Sequence, residues 1–440
     1  WIAGKQREEG TNYLFNAADP RATYRARLDE AYLSYRTGDW AFRGGNLKTR
    51  WGSTDIVRPG DVVNPRDFVR FDGSATGADL LLPQLTGEAQ YGGDDWSVTA
   101  ILVPFFVEDE AAVFGRDFAA AGPFGPLVGD QFPIFDALEQ AVHPSRYDDV
   151  QPLFRASRVP EEKPENASAG LRGTVTKWNT DFGLGYFFGW DRTPWLHVDE
   201  DVQRLAALAV EDGRVLSDLD LEGFFERNAE AEQAWVRAGQ KATEGEQLVY
   251  GEYRRQHNVV VDLARYIGPI GVRADAAFAA QRTLFTTDLE PVRRPTLTGA
   301  LGLSWERIRS EDDAIALSLE GFWMHPFSAS SGLTRALIPE DERGPREADL
   351  MLVGDGMYGL AGAARATLPW DLQLQTGAIA TLSNGDVIAS ASLSRRWESW
   401  LNTGVGLSIF EGPDPDEGDL SLGGLYDHND QVTLEVSGVF

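Results

Sequence analysis

The chain has 440 residues, and its 40 Lys and Arg against 68 Asp and Glu give a formal net charge of −28. That balance excludes a phosphate-neutralising nucleic-acid surface and a polybasic lipid anchor, and reads as solvation of exposed loops. The absence of Cys removes disulfides, thiolate metal sites and cysteine nucleophiles, while no segment offers the ~20 apolar residues of a membrane helix. The longest apolar run, Ala100 to Val107, is interrupted by Pro104. The chain opens at Trp1 without a basic or apolar leader, so the expectation is a mature form whose signal peptide has been removed.

The first candidate strands are Ala22–Arg36, Trp40–Trp51, Leu80–Tyr91 and Asp95–Val107. The last carries apolar residues on both parities. Ile101, Val103 and Phe105 share the face that would look inward, which makes sense only if a loop is packed against it. Between the second and third segments, Arg50, Asp55, Arg58, Asp61, Arg66, Asp67 and Arg70 alternate in sign through a stretch pinned by Pro59 and Asn64-Pro65. Mixed charges so placed fit either a constriction that sets a transverse field or a salt-bridged loop lying on a wall.

Two long acidic insertions follow, 108–170 and 191–246, separated by strand candidates Leu171–Thr180 and Phe182–Trp190. The second insertion has helix-like patterns at Val202, Leu205 and Leu208 with Ala206 and Ala209, and again over Glu222 to Ala242. Segments Gln247–His257, Val259–Ile267 and Ile270–Leu284 resume the strand rhythm.

The C-terminal half carries the strongest signal. Leu297, Gly299, Leu301, Leu303 and Trp305 alternate with Thr298, Ala300, Gly302 and Ser304; Ile315, Leu317, Leu319, Gly321 and Trp323 alternate with Ala316, Ser318, Glu320 and Phe322. After a connection at 325–350 and a candidate at Met351–Leu368, the same period recurs from Leu372, Val387 and Leu401. Period-two alternation over about ten residues marks strands with one apolar and one polar face, at the length a tilted membrane strand needs. Trp and Tyr recur near segment ends, as interfacial girdles do, and turn-like spacers such as Ser383-Asn384-Gly385-Asp386 separate the segments. The apolar parity is assigned to lipid. The polar parity then wets a lumen through Arg273, Asp275, Glu320, Gln373, Gln375, Ser392, Arg396 and Asn402. With Asp419–Tyr426 and a last segment at 431–440, the expected fold is one all-β transmembrane antiparallel barrel over 1–440, with about sixteen strands and long, partly helical loop insertions. Counting back from a last strand that ends at the periplasm places 325–350 on the periplasmic side and 52–79, 108–170 and 191–246 outside.

Val432, Leu434, Val436, Gly438 and Phe440 share one parity of the last segment. This resembles the C-terminal signal of bacterial outer-membrane proteins, and the resemblance implies that Val432, Leu434, Val436 and Phe440 are read by the barrel-assembly machinery. Near the N-terminus, Ala31-Tyr32-Leu33-Ser34-Tyr35-Arg36, then Gly45-Asn46-Leu47-Lys48-Thr49-Arg50-Trp51-Gly52 and Asn64-Pro65-Arg66-Asp67, resemble an uncharacterised proteobacterial family of outer-membrane barrels. In that family a strand ending in Gly-x-Gln-x-x-x-Trp-Gly leads into Asn-Pro-x-Asp; here Asn46 and Leu47 depart from the usual Arg or Lys then Gln. The resemblance implies traffic of hydrophobic or lipid-like molecules beside exporters of the resistance-nodulation-division type.

No His-Glu-x-x-His, Gly-x-Ser-x-Gly or phosphate-binding loop is present. Outer-membrane phospholipases place a His two residues before Ser-Asn-Gly, and here Thr381 precedes Ser383-Asn384-Gly385. The five His show no metal-ligand spacing, and Asp414, Asp416, Glu417 and Asp419 read as a solvated turn rather than a calcium loop. Neither catalytic residue, cofactor nor metal is therefore expected. The leading expectation is a transport barrel for small polar or amphipathic molecules, constricted by Arg50, Asp55, Arg58, Asp61, Arg66, Asp67, Arg273, Asp275, Glu320, Gln373, Gln375 and Arg396. The alternative is a plugged scaffold barrel in a secretion or adhesion assembly. Expected partners are outer-membrane lipid and lipopolysaccharide, the barrel-assembly machinery during biogenesis and an envelope export or secretion complex, and no nucleic acid.

Overall fold

The computed structural model describes residues 30–67, 80–109, 158–212, 221–246, 248–286, 290–310, 313–344, 350, 353–398, 401–413 and 430–438. Strands β1 (Ala31–Thr37), β2 (Trp40–Leu47), β3 (Gln84–Gly92), β4 (Trp96–Val103), β5 (Ser168–Lys177) and β6 (Thr180–Trp190) pair in sequence order. A small ribbon of β7 (Trp195–Val198) and β8 (Val249–Glu252) then carries helices α1 (Glu200–Asp212), α2 (Leu221–Arg227) and α3 (Ala229–Thr243). The main sheet continues through β9 (Arg255–Ile267), β10 (Ile270–Phe285), β11 (Pro291–Ser310), β12 (Asp313–Pro326), β13 (Met357–Leu368), β14 (Leu372–Thr381), β15 (Asp386–Glu398), β16 (Leu401–Glu411) and β17 (Gln431–Gly438). Helix α4 (Gly332–Leu337) lies between β12 and β13 and is capped by the Ser331 hydroxyl, which accepts from the Thr334 N–H. The sheet is an antiparallel meander of 15 strands among the described residues. Asp419–Tyr426 and Phe440 lie outside them, and β16 pairs directly with β17.

Register puts the greasy parity on one surface throughout. Leu303 stands opposite Val272 on β10 and Leu319 on β12, and Val405 stands opposite Leu393 on β15 and Leu434 on β17. Large apolar side chains on this parity are exposed on the isolated chain, among them Leu301, Leu317, Leu360, Leu407 and Val436. An apolar belt of this extent is unstable against water and matches the lipid-facing surface of a transmembrane β-barrel. Trp40 stacks on Phe42 and packs with Tyr91, which in turn meets Trp96, forming an aromatic girdle at one edge of the belt. No helix among the described residues is long and apolar enough to cross a membrane.

The opposite parity closes around the β2–β3 connection. Ile101 on β4, Phe187 on β6, Asp275 on β10, Glu320 on β12 and Ala361 on β13 all pack or hydrogen-bond within one enclosed region that holds residues 51–63. A flat sheet does not bring strands so far apart in order to one short segment; a curled one does.

Several boundaries differ from the sequence-based expectation. The segment expected as strands Gln247–His257 and Val259–Ile267 is instead the short β8 and one continuous β9. Asp95–Val107 ends at Val103, and Phe105 is exposed rather than packed inside. The expected separation of 325–350 from the other long connections is also overturned. In the meander, the connections after β2, β4, β6, β10, β12, β14 and β16 all lie at one end, and 327–356 is among them. The other end carries only short turns. Asp419–Tyr426 lies outside the described residues; counting it as a strand of the sheet puts 325–350 on the opposite side in the count back from the C-terminus, whereas β16 pairs directly with β17. Dividing β9 in two then inverts the count again, which is why the segments further upstream keep their expected side.

Candidate functional site: a loop clamped inside the barrel

The connection after β2 turns inward instead of arching over the rim. At its base Asn64 does the stapling: its Oδ1 accepts from the Thr49 N–H at 2.8 Å, and its Nδ2 donates to Leu47 O at 3.0 Å and Leu82 O at 2.8 Å. Both ends of the connection are thereby tied to one buried amide. Leu82 N–H also donates to Pro65 O, and Asp67 N–H to Leu80 O, each at 2.7 Å. The Asn-Pro pair that sequence reading singled out is thus a structural clip.

From the clip, Trp51 drives into the wall. It is 3% exposed and packs with Val63, Ile101, Val103, Phe187, Val260 and Ala277. Its ring lies over two glycines of β5 and β6: a Cβ at Gly185 would come within 2.8 Å of it, and one at Gly170 within 3.0 Å. The adjacent Gly52 has φ +97 and presses against Asp275, so this turn needs a residue without a side chain. Ile56, with Val57 against its margin, fills a second apolar seat made by Ala300, Phe322 and Ala361.

Between these two apolar seats the backbone is held by charge. Asp275 accepts from Ser53 N–H at 2.7 Å and Thr54 N–H at 3.2 Å, and from the hydroxyls of Ser53 at 2.9 Å and Thr54 at 2.6 Å. Glu320 accepts from the N–H groups of Asp55, Ile56 and Val57 at 2.6, 3.1 and 2.7 Å. Five consecutive amides of an irregular segment, which would otherwise be buried without partners, are satisfied by two wall carboxylates. Arg273 pairs with Asp55 from the same wall and also reaches Ser304 Oγ and Tyr266 Oη at 3.2 Å each. Gly302 leaves the space that the Glu320 side chain occupies.

Further ion pairs line the neighbouring wall. Arg172 donates to both oxygens of Asp262 at 2.8 Å, and Glu88 receives Arg43 and the Thr49 hydroxyl. Above the loop, Arg192 donates to Val63 O at 2.6 Å and to Val107 O, while Asp109 accepts from Arg66 N–H at 2.9 Å. The three long connections after β2, β4 and β6 therefore meet at one guanidinium. Burial pushes the Asp109 carboxyl up and the Arg192 guanidinium down from their usual values, each opposed by the other's charge. Burial likewise raises Asp61, whose Oδ1 accepts from the Trp51 N–H at 3.2 Å.

The candidate constriction residues thus fall into two groups. Asp55, Arg58, Asp61, Arg273, Asp275 and Glu320 belong to the clamped loop and its wall; Arg58 Nε donates to Asp55 O at 3.3 Å. Arg66 and Asp67 sit at the loop's base, Arg50 is exposed beside it, and Arg70 lies outside the described residues. Gln373, Gln375 and Arg396 stand apart, on β14 and β15, away from the loop. Their faces are open: Gln375 and Arg396 are exposed, and Ser390, Ser392, Asn402, Gly404 and Gly406 on the same parity are partly so. Val432, Leu434 and Val436, expected as an assembly signal, lie on the lipid-facing parity of β17 and are exposed. Sequence reading placed a pin at Asn64-Pro65 but missed the backbone of Ser53 to Val57 as ligands of the wall carboxylates. Only the Gly-Ser-Thr run after Trp51 hinted that the backbone there is the contact.

Among the described residues no cluster of His, Asp and Glu is arranged to hold a metal, and the Asp414–Asp419 stretch lies outside them. Thr381-Leu382-Ser383-Asn384-Gly385 forms a tight turn in which Gly385 N–H donates to Thr381 O at 2.8 Å.

No known family model and no curated protein matches the chain. Among solved structures it is similar to Wzi, an outer-membrane protein involved in group 1 capsule assembly in Escherichia coli and a carbohydrate-binding β-barrel. The two share 10% identity at a TM-score of 0.38, over 87% of this chain and 66% of Wzi. The chain thus spans just under two thirds of that protein's length. It is also similar to OmpT, an outer-membrane protein of Vibrio cholerae, at 7% identity and a TM-score of 0.29, covering 74% of this chain and 79% of OmpT. The toluene transporter TbuX of Ralstonia pickettii matches at 8% identity and a TM-score of 0.23, covering 74% and 76%. The substrates of those proteins do not transfer to this chain. With its lipid-facing belt, aromatic girdle and curled antiparallel meander, the chain is an outer-membrane β-barrel.

Proposed function

We propose that this chain works as a transport barrel whose lumen is narrowed from one side by the clamped loop at 48–67. The observation that carries the reading is an asymmetry of the interior. The wall from β4 to β13 is covered by the loop, whereas the inward parity of β14 to β16 is polar or small and partly open to solvent from its short-turn end as far as Gly377, Ser390 and Gly406, and is buried beyond, at Asp386, Ile388, Ser408 and Phe410. A lumen filled for structural reasons alone has no need of an uncovered stripe of Gln, Ser, Asn and Gly. Small polar or amphipathic solutes fit the stripe.

Purified chain in planar bilayers should give a small, steady unit conductance. Asp275→Asn with Glu320→Gln weakens the charge-assisted bonds that hold the loop, each worth about 1.5–3 kcal/mol. The double variant should show flickering or larger openings. Absence of current from both proteins, each shown to be folded, would sink the transport reading in favour of a scaffold barrel.

A further inference from the structure

The chain is strongly acidic as a whole, yet the open side of its lumen is not. On the covered wall the inward carboxylates are engaged: Asp275 and Glu320 with the loop's amides, Asp262 with Arg172, and Glu88 with Arg43. Asp181 on β6 and Glu306 on β11 also belong to that wall by parity, the former accepting from Thr176 Oγ1 at 2.6 Å.

Away from the loop, on the short-turn ends of β1, β13 and β15, the inward parity has the opposite character. Arg365 on β13 has the inward parity of Ala361 and Ala363 and stands opposite Gln375. Arg396 on β15 stands opposite Asn402. Arg36 on β1 stands opposite Ala41, sharing the parity of Arg43, whose partner Glu88 is buried inside. All three are exposed. Among the described residues none of them pairs with a carboxylate; Arg365 has Gln373 Oε1 at 3.3 Å as its acceptor. All lie toward the short-turn end of their strands, next to the turns at 37–40, 368–372 and 398–401. Two acidic residues share the inward parity of this sector. Asp386 is buried at the opposite end of β15, and Glu435 on β17 stands opposite Gly404, two positions along from Asn402, the partner of Arg396.

We infer that the open side of the lumen selects for anions, and that the solutes it passes carry a carboxylate or a comparable single negative charge. The inference rests on the transport reading and adds the charge class of the solute. Guanidinium groups that pair with no carboxylate among the described residues attract mobile anions into a water-filled passage and repel cations, as charged rings do in channels. Their planar donors suit a carboxylate in particular.

The test is the zero-current potential of the full chain in a planar bilayer under a KCl gradient, repeated with acetate and benzoate as the anion. The native protein should favour anions by about threefold or more, with the organic anions carrying current. The triple variant Arg36→Gln, Arg365→Gln, Arg396→Gln should bring the ratio close to one while still conducting. Each single substitution should lower it in part, so the inference stays testable if the triple variant does not fold. Cation preference in the native channel, or an unchanged ratio in conducting variants, overturns the inference and leaves the transport reading standing. No current from folded native protein overturns both.

Discussion

At the scale of single residues, the glycines of the inner wall decide where the loop sits. Trp51 lies against Gly185 so closely that an added methyl must displace the ring or the strand. Gly185→Ala should therefore weaken loop docking by about 1–3 kcal/mol, the usual cost of overpacking. Limited proteolysis at the loop reads the effect, and unchanged protection would contradict the packing. Asp61 supplies a pH dependence whose sign is opposite to ordinary acid unfolding. Burial holds its carboxyl above the usual value of 3.8 when the loop is docked, so the docked state binds the proton more tightly than a released one. Docking should strengthen as pH falls through the raised value, a gain complete below 3.8, and weaken toward neutral pH. Asp61→Asn should flatten that dependence. Hydrogen exchange of the Trp51 N–H, corrected for intrinsic rates, measures it; a slope as steep in the variant would assign it to another group. None of these contacts was legible in the sequence, because Ser53 and Asp275 meet across 222 positions and no local pattern encodes that closure.

At the scale of elements, what could be read was what is local. The parity of β11, β12 and β14 to β16 followed from alternation within each strand, since inward and outward neighbours differ in solvent along every membrane strand. Ends were less legible: Leu80 to Pro83 is more apolar than β3 yet is used to close the loop base, and the apolar run through Phe105 outlasts the pairing of β4. The helical insertion was visible through its 3.6-residue spacing, but Asn228 divides its second part, its side chain accepting from Ala231 N–H at 3.2 Å at the start of α3. Leu205, Leu208, Phe224, Ala231 and Ala234 form a core of their own, and the ribbon of β7 and β8 joins the insertion to the barrel. Replacing 199–248 with a two-residue hairpin turn should accordingly leave a barrel that still migrates anomalously on gels until boiled. Loss of that behaviour would show that the helices support the barrel rather than sit upon it.

At the scale of the whole molecule, the meander separates its connections by length. The turns at 37–40, 92–96, 177–180, 267–270 and 368–372 are short; the one at 177–180 holds both of its central residues, Trp178 and Asn179, at positive φ, and the three-residue turn at 368–372 holds Trp370 and Asp371 there. Positive φ at both central positions is the geometry of a two-residue hairpin that follows strand twist. All the long connections, including the clamped loop and the helices, occupy the other end. In outer-membrane barrels short turns face the periplasm and long loops the exterior, which orients the molecule without reference to where the chain ends. The native chain has no Cys, so single reporters are unambiguous. Gln240→Cys on the exposed face of α3 should react with an impermeant maleimide on intact cells. Asn179→Cys, in the β5–β6 turn, should react only after the outer membrane is permeabilised. The reverse pattern would invert the barrel, and it would place the loop's Arg192 clasp at the periplasmic mouth and Arg36, Arg365 and Arg396 at the outer one.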